Sequence, residues 1–169
     1  MSTNQILTPH FTLQEMTESL TAKKQGIDNR TTPEVVENLK RLCQHTLEPL
    51  REKLGLPIII TSGYRTKELN DIIVHASRKS QHMSGQAADF YVAQGPVQGS
   101  RVQGSRELLI QAFRIIIEDE SIDFDQLIIY PSFIHVSYVS RERNRHQITK
   151  ANGNGTYCAL SRAQALALR

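Results

Sequence analysis

Two side chains that can bind a metal, His82 and Asp89, stand seven residues apart in "SRKSQHMSGQAADFY" (77–91), separated mostly by small and polar residues. Zinc in hydrolases takes three protein ligands drawn from imidazole nitrogens and carboxylates and leaves a fourth position for water. The pair would supply two of the three. If 86–91 is a strand, Ala87, Asp89 and Tyr91 share one face, so that Asp89 projects into the site and Ala87 leaves space beside it. Gly85 lets the preceding loop turn back and carry the imidazole to the same ion. His135 is the strongest third ligand, because it interrupts the apolar run "FIHVSYV": Ile134, Val136 and Tyr138 take one face, His135 and Ser137 the other. His10, His45, His75 and His146 fall in a terminus, an amphipathic helix, a helix end and a basic loop, where structural or solvated roles suffice.

The elements that must position these residues can be read from periodicity. Thr31 and Thr32, then Pro33 and Glu34, open a helix. Its apolar stripe of Val36, Leu39, Cys43, Leu47, Leu50 and Leu54 runs to Gly55, with a kink expected at Pro49. A shorter helix capped by Thr12 is predicted around Leu13 to Leu20. "PIIITS" reads as a buried strand ending at Gly63, "TKELNDIIVHA" as a short helix, "QAADFYV" as a strand and "RELLIQAFRIIIEDE" as a second amphipathic helix. The tandem repeat "VQGSRVQGSR" before that helix predicts an extended surface loop over about 95–105. "FDQLIIY" and "FIHVSYV", separated only by Pro131 and Ser132, form a hairpin that pairs Tyr130 with Phe133 and Ile128 with His135. Gln126, Ile128 and Tyr130 then share the face of His135, and Asp125 points away. A Gly/Asn turn and a short final helix end the chain. Helices flanking a mainly antiparallel sheet define an α+β fold, expected as one domain over 1–169 with its core in about 10–150.

Composition narrows the function classes. The formal charge of +3, from 20 basic and 17 acidic residues, is too balanced to imply nucleic-acid binding. The basic stretch "SRERNRHQITK" (140–150) reads as a solvated hairpin or loop. The two cysteines, Cys43 and Cys158, imply neither a disulfide framework nor a cysteine zinc site. No apolar run approaches a membrane span and no signal peptide is recognisable, so the chain is expected to be cytoplasmic as synthesised. The sequence does not set the oligomeric state, and a monomer is favoured.

With these motifs in place, the chain resembles the zinc D-alanyl-D-alanine peptidases, which cleave peptide bonds in bacterial peptidoglycan and share a fold with the hedgehog signalling domain. The family's Ser-x-His, two residues, Gly-x-Ala-x-Asp signature is met by Ser80, His82, Gly85, Ala87 and Asp89. Its His-x-Ser signature is met by His135 and Ser137, and its arginine turn by "SGYR", Ser62 to Arg65. "FTLQEMTES" with "GIDN" and the long helix is similar to the peptidoglycan-peptidase branch met in phages and prophages, and the resemblance spans about 10–150.

The resemblance implies that His82, Asp89 and His135 hold Zn2+ on the sheet. It also implies that Arg65 binds the substrate carboxylate or steadies the oxyanion, and that Ser80 and Ser137 lie on the substrate side. A metal-activated water, not a serine, would attack a peptidoglycan peptide bond, as a carboxypeptidase or an endolysin-like endopeptidase. One departure stands out. The family places a Glu or His a few residues before its second zinc histidine as general base, and "DQLIIYPSFIH" has none after Asp125. Tyr130 stands about where the base is expected, while Asp125 is the chemically better base but reads more readily as a structural residue before the strand. The alternative is a zinc-stabilised module that binds cell-wall peptide without cleaving it.

Overall fold

The structure, a computed structural model, describes residues 5–74, 76–94, 104–153 and 155–169. His75 and most of the tandem repeat, the expected surface loop, lie outside the described residues. The chain opens with a two-stranded antiparallel pair, β1 (Ile6–Thr8) and β2 (Phe11–Thr12). The single early helix expected from sequence is two: α1 (Leu13–Thr17), capped by Thr12, and α2 (Leu20–Gln25), capped by Ser19. The hydroxyl of Ser19 accepts from the Ala22 amide and so starts a new helix where the periodicity suggested continuation.

The long helix starts as expected, with Thr32 capping α3 (Pro33–Leu42). It continues through one wide π turn (Cys43–Leu47) into α4 (Glu48–Leu54). Pro49 explains the widening. A proline has no N–H for the carbonyl four residues back and its ring crowds that carbonyl. The His45 carbonyl accepts instead from the Asp123 amide at 3.0 Å, and Thr46 Oγ1 donates to the Asp123 carbonyl at 2.5 Å. The irregularity thereby docks the segment that leads into the metal-side hairpin.

Six strands form the main sheet in the order β3 (Ile58–Ser62), β4 (Ala87–Val92), β6 (Ile134–Ser137), β5 (Gln126–Ile129), β7 (Gln147–Ala151) and β8 (Tyr157–Ala159). All neighbours are antiparallel except β5 and β7, which are parallel. The fold is therefore α+β with a mixed, mainly antiparallel sheet, as expected. The basic stretch read as a solvated hairpin or loop ends in β7, a strand it shares with the sheet.

One face of the sheet carries Ala88, Phe90, Val92, Leu127, Ile129, Ile134 and Val136, all buried in the core. Against it pack the long helix and α6 (Arg106–Glu118), which turns Leu109, Ile110, Phe113, Ile116 and Ile117 inward. Full burial of side chains of this size stabilises by about 1.5–3 kcal/mol each. The helical layer covers that face, and the opposite face is left for the site. The remaining helices are α5 (Lys67–Ile72), capped by Thr66, and α7 (Arg162–Leu166).

A 3₁₀ turn, Gln81–Ser84, leads into β4 and ends at Gly85, whose φ is +71°. A Cβ there would also stand 2.8 Å from the Val35 carbonyl oxygen of α3. Gly85→Ala therefore meets both a left-handed backbone and a backbone contact that cannot move cheaply. Urea unfolding should show a lower midpoint at unchanged slope, a loss of about 2 kcal/mol.

Candidate metal centre

Strand register builds the first half of the site. Asp89 on β4 lies directly opposite His135 on β6. Opposed residues of an antiparallel pair project to the same side with Cβ atoms about 5 Å apart, so carboxylate and imidazole meet. His135 Nδ1 lies 2.8 Å from Asp89 Oδ1. His82 comes from the 3₁₀ turn, and its Nε2 is 3.2 Å from His135 Nδ1 and 3.3 Å from Asp89 Oδ1.

The turn after β3 fixes His82. The His82 Nδ1–H donates to the Gly63 carbonyl at 2.6 Å, and the Arg65 amide donates to the His82 carbonyl at 3.1 Å. Holding the proton on Nδ1 leaves the Nε2 lone pair aimed at the other two ligand atoms. Gly63 is glycine for a steric reason, since a Cβ there would fall 2.1 Å from the Met16 carbonyl oxygen, the acceptor of the Tyr64 amide. Asn29 ties down the same turn, donating to the Thr17 and Tyr64 carbonyls and accepting from the Thr66 amide. Asn38 on α3 donates to the Ser84 carbonyl of the 3₁₀ turn.

Asp89 divides its two oxygens. Oδ1 faces the imidazoles, and Oδ2 accepts from Arg65 Nη2 at 3.2 Å. Arg65 is buried, and its Nε donates to Ser62 Oγ at 3.1 Å. Burial alone would raise the Asp89 carboxyl, yet His82 and His135 hold it well below the usual carboxylate range. Burial pushes His82 below its ordinary value, against the opposing pull of the Asp89 carboxylate.

The three atoms form a triangle of 2.8, 3.2 and 3.3 Å. Ligands bound to zinc tetrahedrally at 2.0–2.1 Å lie about 3.3 Å apart. Two nitrogens and one carboxylate oxygen at that spacing, with the open cleft on their remaining side, fit zinc in number, type and separation. The same three residues form a group that can hold a metal ion.

The other candidate residues are placed unequally. Tyr130 continues the site face of β5, and its amide donates to the Phe133 carbonyl at the hairpin turn, as the predicted register requires. Its hydroxyl lies 3.1 Å from that of Tyr157 on β8. Burial raises the Tyr130 phenol pKa and the Tyr157 hydrogen bond raises it further, so Tyr130 stays protonated at neutral pH and can donate but not act as base. Ser80 lines the cleft at the head of the 3₁₀ turn. Ser137, expected on the substrate side, is instead fully buried: its Oγ accepts from the Gln126 amide at 3.0 Å and donates to Asp125 Oδ2 at 3.4 Å.

Asp125 does not point away, as strict alternation predicted. It precedes the first regular residue of β5, and its amide and that of Gln126 both turn to Ser137, one to the carbonyl and one to Oγ. Its carboxylate is buried and engaged by Arg145 Nε at 2.9 Å, Arg145 Nη2 at 2.5 Å and Gln81 Nε2 at 2.9 Å. Arg145, Gln81 and Tyr157 were not singled out from sequence. Arg145 lay in view within the basic stretch, but its partner is 20 residues away and no local spacing connects them.

Burial alone would raise the Asp125 carboxyl, but the Arg145 hydrogen bonds bring it down to about 2. A carboxyl depressed on folding stabilises above its unfolded pKa, near 4, and loses that contribution as pH falls through the folded value. Asp125→Asn should therefore cost about 1.5 kcal/mol at pH 7, the lower end for charged hydrogen bonds because Arg145 is half-exposed. The gap to wild type should close between about pH 4 and pH 2 in thermal unfolding followed by circular dichroism.

No curated protein matches the chain. A family profile described as Peptidase M15 matches residues 9–137, about three quarters of the length. The matched segment contains the 3₁₀ turn, β4, β6 and the whole ligand triangle, and stops before Arg145 and Tyr157. Peptidase family M15 is zinc-dependent, which agrees with the donor set. The chain belongs to peptidase family M15 and is a metallopeptidase by that membership.

Proposed function

We propose that this protein is a zinc peptidase acting on the peptide part of peptidoglycan, with His82, Asp89 and His135 as the metal ligands. The observation that carries the reading is the ligand triangle, sized for zinc and opening into a cleft of about 1010 Å3 bordered by Arg65 and Tyr130. Zinc held by these three residues would lower the pKa of a water and polarise a carbonyl. The chain's own residues do the rest. Gly63 holds the His82 tautomer, and Arg65 fixes the Asp89 carboxylate through its second oxygen. Tyr130, kept protonated, donates a hydrogen bond toward the oxygen on which charge develops as the peptide carbonyl is attacked. Arg65 adds a fixed positive charge on the same side. Ser80 orients the 3₁₀ turn or the substrate above it. Asp125 can take up a proton as base only by giving up Arg145.

A second reading, a zinc-stabilised module that binds wall peptide without cutting it, has one observation in its favour. Among the described residues lining the cleft, Asp89 and Asp125 are the carboxylates, and both are engaged.

Digestion of purified cell walls, analysed by mass spectrometry alongside zinc content, separates the two. The peptidase reading expects about one zinc per chain, new peptide termini, and loss of both in His82→Ala. Cleavage undiminished in His82→Ala would overturn it, and wall binding with zinc but no product would favour the second reading. Tyr130→Phe, which keeps the ring stacked on Phe133, should lower kcat by about 10²-fold with KM little changed, because the lost hydrogen bond matters chiefly in the transition state.

A further inference from the structure

Two clefts border the candidate metal centre: His82 and His135 line the first, and Asp89 lines both. The first, about 1010 Å3, runs from the ligand triangle across Ile128, Tyr130 and Tyr157. The second, about 820 Å3, runs the other way along β3. They share Arg65, Ile73 and Asp89. A complete small-molecule site commonly occupies about 300–1,000 Å3, so each arm alone could take several residues of a peptide.

A peptidase that removes only a terminal residue needs an end wall just beyond the metal, usually with a cation to receive the terminal carboxylate. Arg65 is the cation at this junction, but it does not close either arm. It is buried, borders both clefts, and directs Nε to Ser62 and Nη2 to Asp89, so those donors serve the site and not a terminal carboxylate.

The second arm has a floor suited to an extended chain. All five residues of β3, from Ile58 to Ser62, line it. β3 is the outermost strand of the six-stranded sheet, so among the described residues its far edge pairs with no further strand. Such an edge presents unpaired N–H and C=O groups, and an extended peptide can add to it as a further strand through main-chain hydrogen bonds. The strand also leads to the chemistry, since Ser62 at its end pairs across with Asp89.

We propose that the protein is an endopeptidase whose substrate continues on both sides of the scissile bond, one side lying as an added strand along β3. This rests on the reading of the protein as a peptidoglycan peptidase and narrows it to internal bonds.

The zinc-loaded full chain would be given a stem peptide ending in free D-alanyl-D-alanine and the same peptide cross-linked through D-alanine to a second stem, each with free and amidated C-termini. The expected result is cleavage of an internal bond, with kcat/KM on the cross-linked peptide at least ~10-fold above the uncross-linked one and no loss on amidation. Release of a single C-terminal residue, abolished by amidation, would overturn the inference while leaving a peptidase. No cleavage of any of the four would remove the peptidase reading and this inference together. Single N-methylation of each substrate amide tests the strand: KM should rise about 10-fold at alternate amides on one side of the cut only. Uniform tolerance of N-methylation would overturn the β3 placement.

Discussion

Asp89 faces His135 across an antiparallel strand pair, and the remainder of the site is arranged around that carboxylate, whose side chain is 15% exposed. Removing a carboxylate from water costs several kcal/mol unless it is paired and hydrogen-bonded. Here the cost is offset from three directions: β6 brings His135, the 3₁₀ turn brings His82, and the turn after β3 brings Arg65. Each supporting element needs the next. The Gly63 carbonyl holds His82, the His82 carbonyl holds the Arg65 amide, and Arg65 holds Asp89. A ring of this kind restrains His82 and Asp89, and His135, outside it, lies within 3.2 Å of both.

The ring also explains which parts of the site could be read from sequence. His135 was visible because strand alternation separates it from Ile134 and Val136, and Asp89 because the same rule sets it with Ala87. The hairpin register followed from a two-residue turn, and with it the side on which Tyr130 stands. These are local rules acting over a few residues. The parallel pairing of β5 with β7, the Asp125–Arg145 pair and the Tyr130–Tyr157 contact join segments that only the finished sheet brings together. Asp125 shows the limit most directly. Alternation applies to residues already in the ladder, and Asp125 is the one before it begins, free to turn its carboxylate toward Ser137 and Arg145.

The long helix gives a second case in which one residue was legible and its consequence was not. Pro49 announces a kink in the sequence, but a kink can be accommodated in several ways. Here the helix widens by one residue and leaves the His45 carbonyl for the Asp123 amide. Two residues later Asp125 accepts from Arg145, so the irregularity in the helical layer helps set the level of the chain at the cleft. A straight helix would keep His45 bonded within itself and offer the incoming segment no such anchor.

The cleft is thus assembled from two parts with different origins in the chain. The ligand triangle, Arg65 and Tyr130 fall within the segment matched by the family profile, whereas Arg145 and Tyr157 come from β7, β8 and the turn before them, beyond residue 137. Among the described residues those later strands meet the triangle through intermediaries: Arg145 bonds Asp125 and Gln81, the neighbour of His82, and Tyr157 meets Tyr130. Changes in the C-terminal strands can therefore reshape the wall of the cleft, and the donor strength of the Tyr130 phenol, without moving a metal ligand. Changes in the β3 turn cannot, because Gly63 and Arg65 hold the ligands directly.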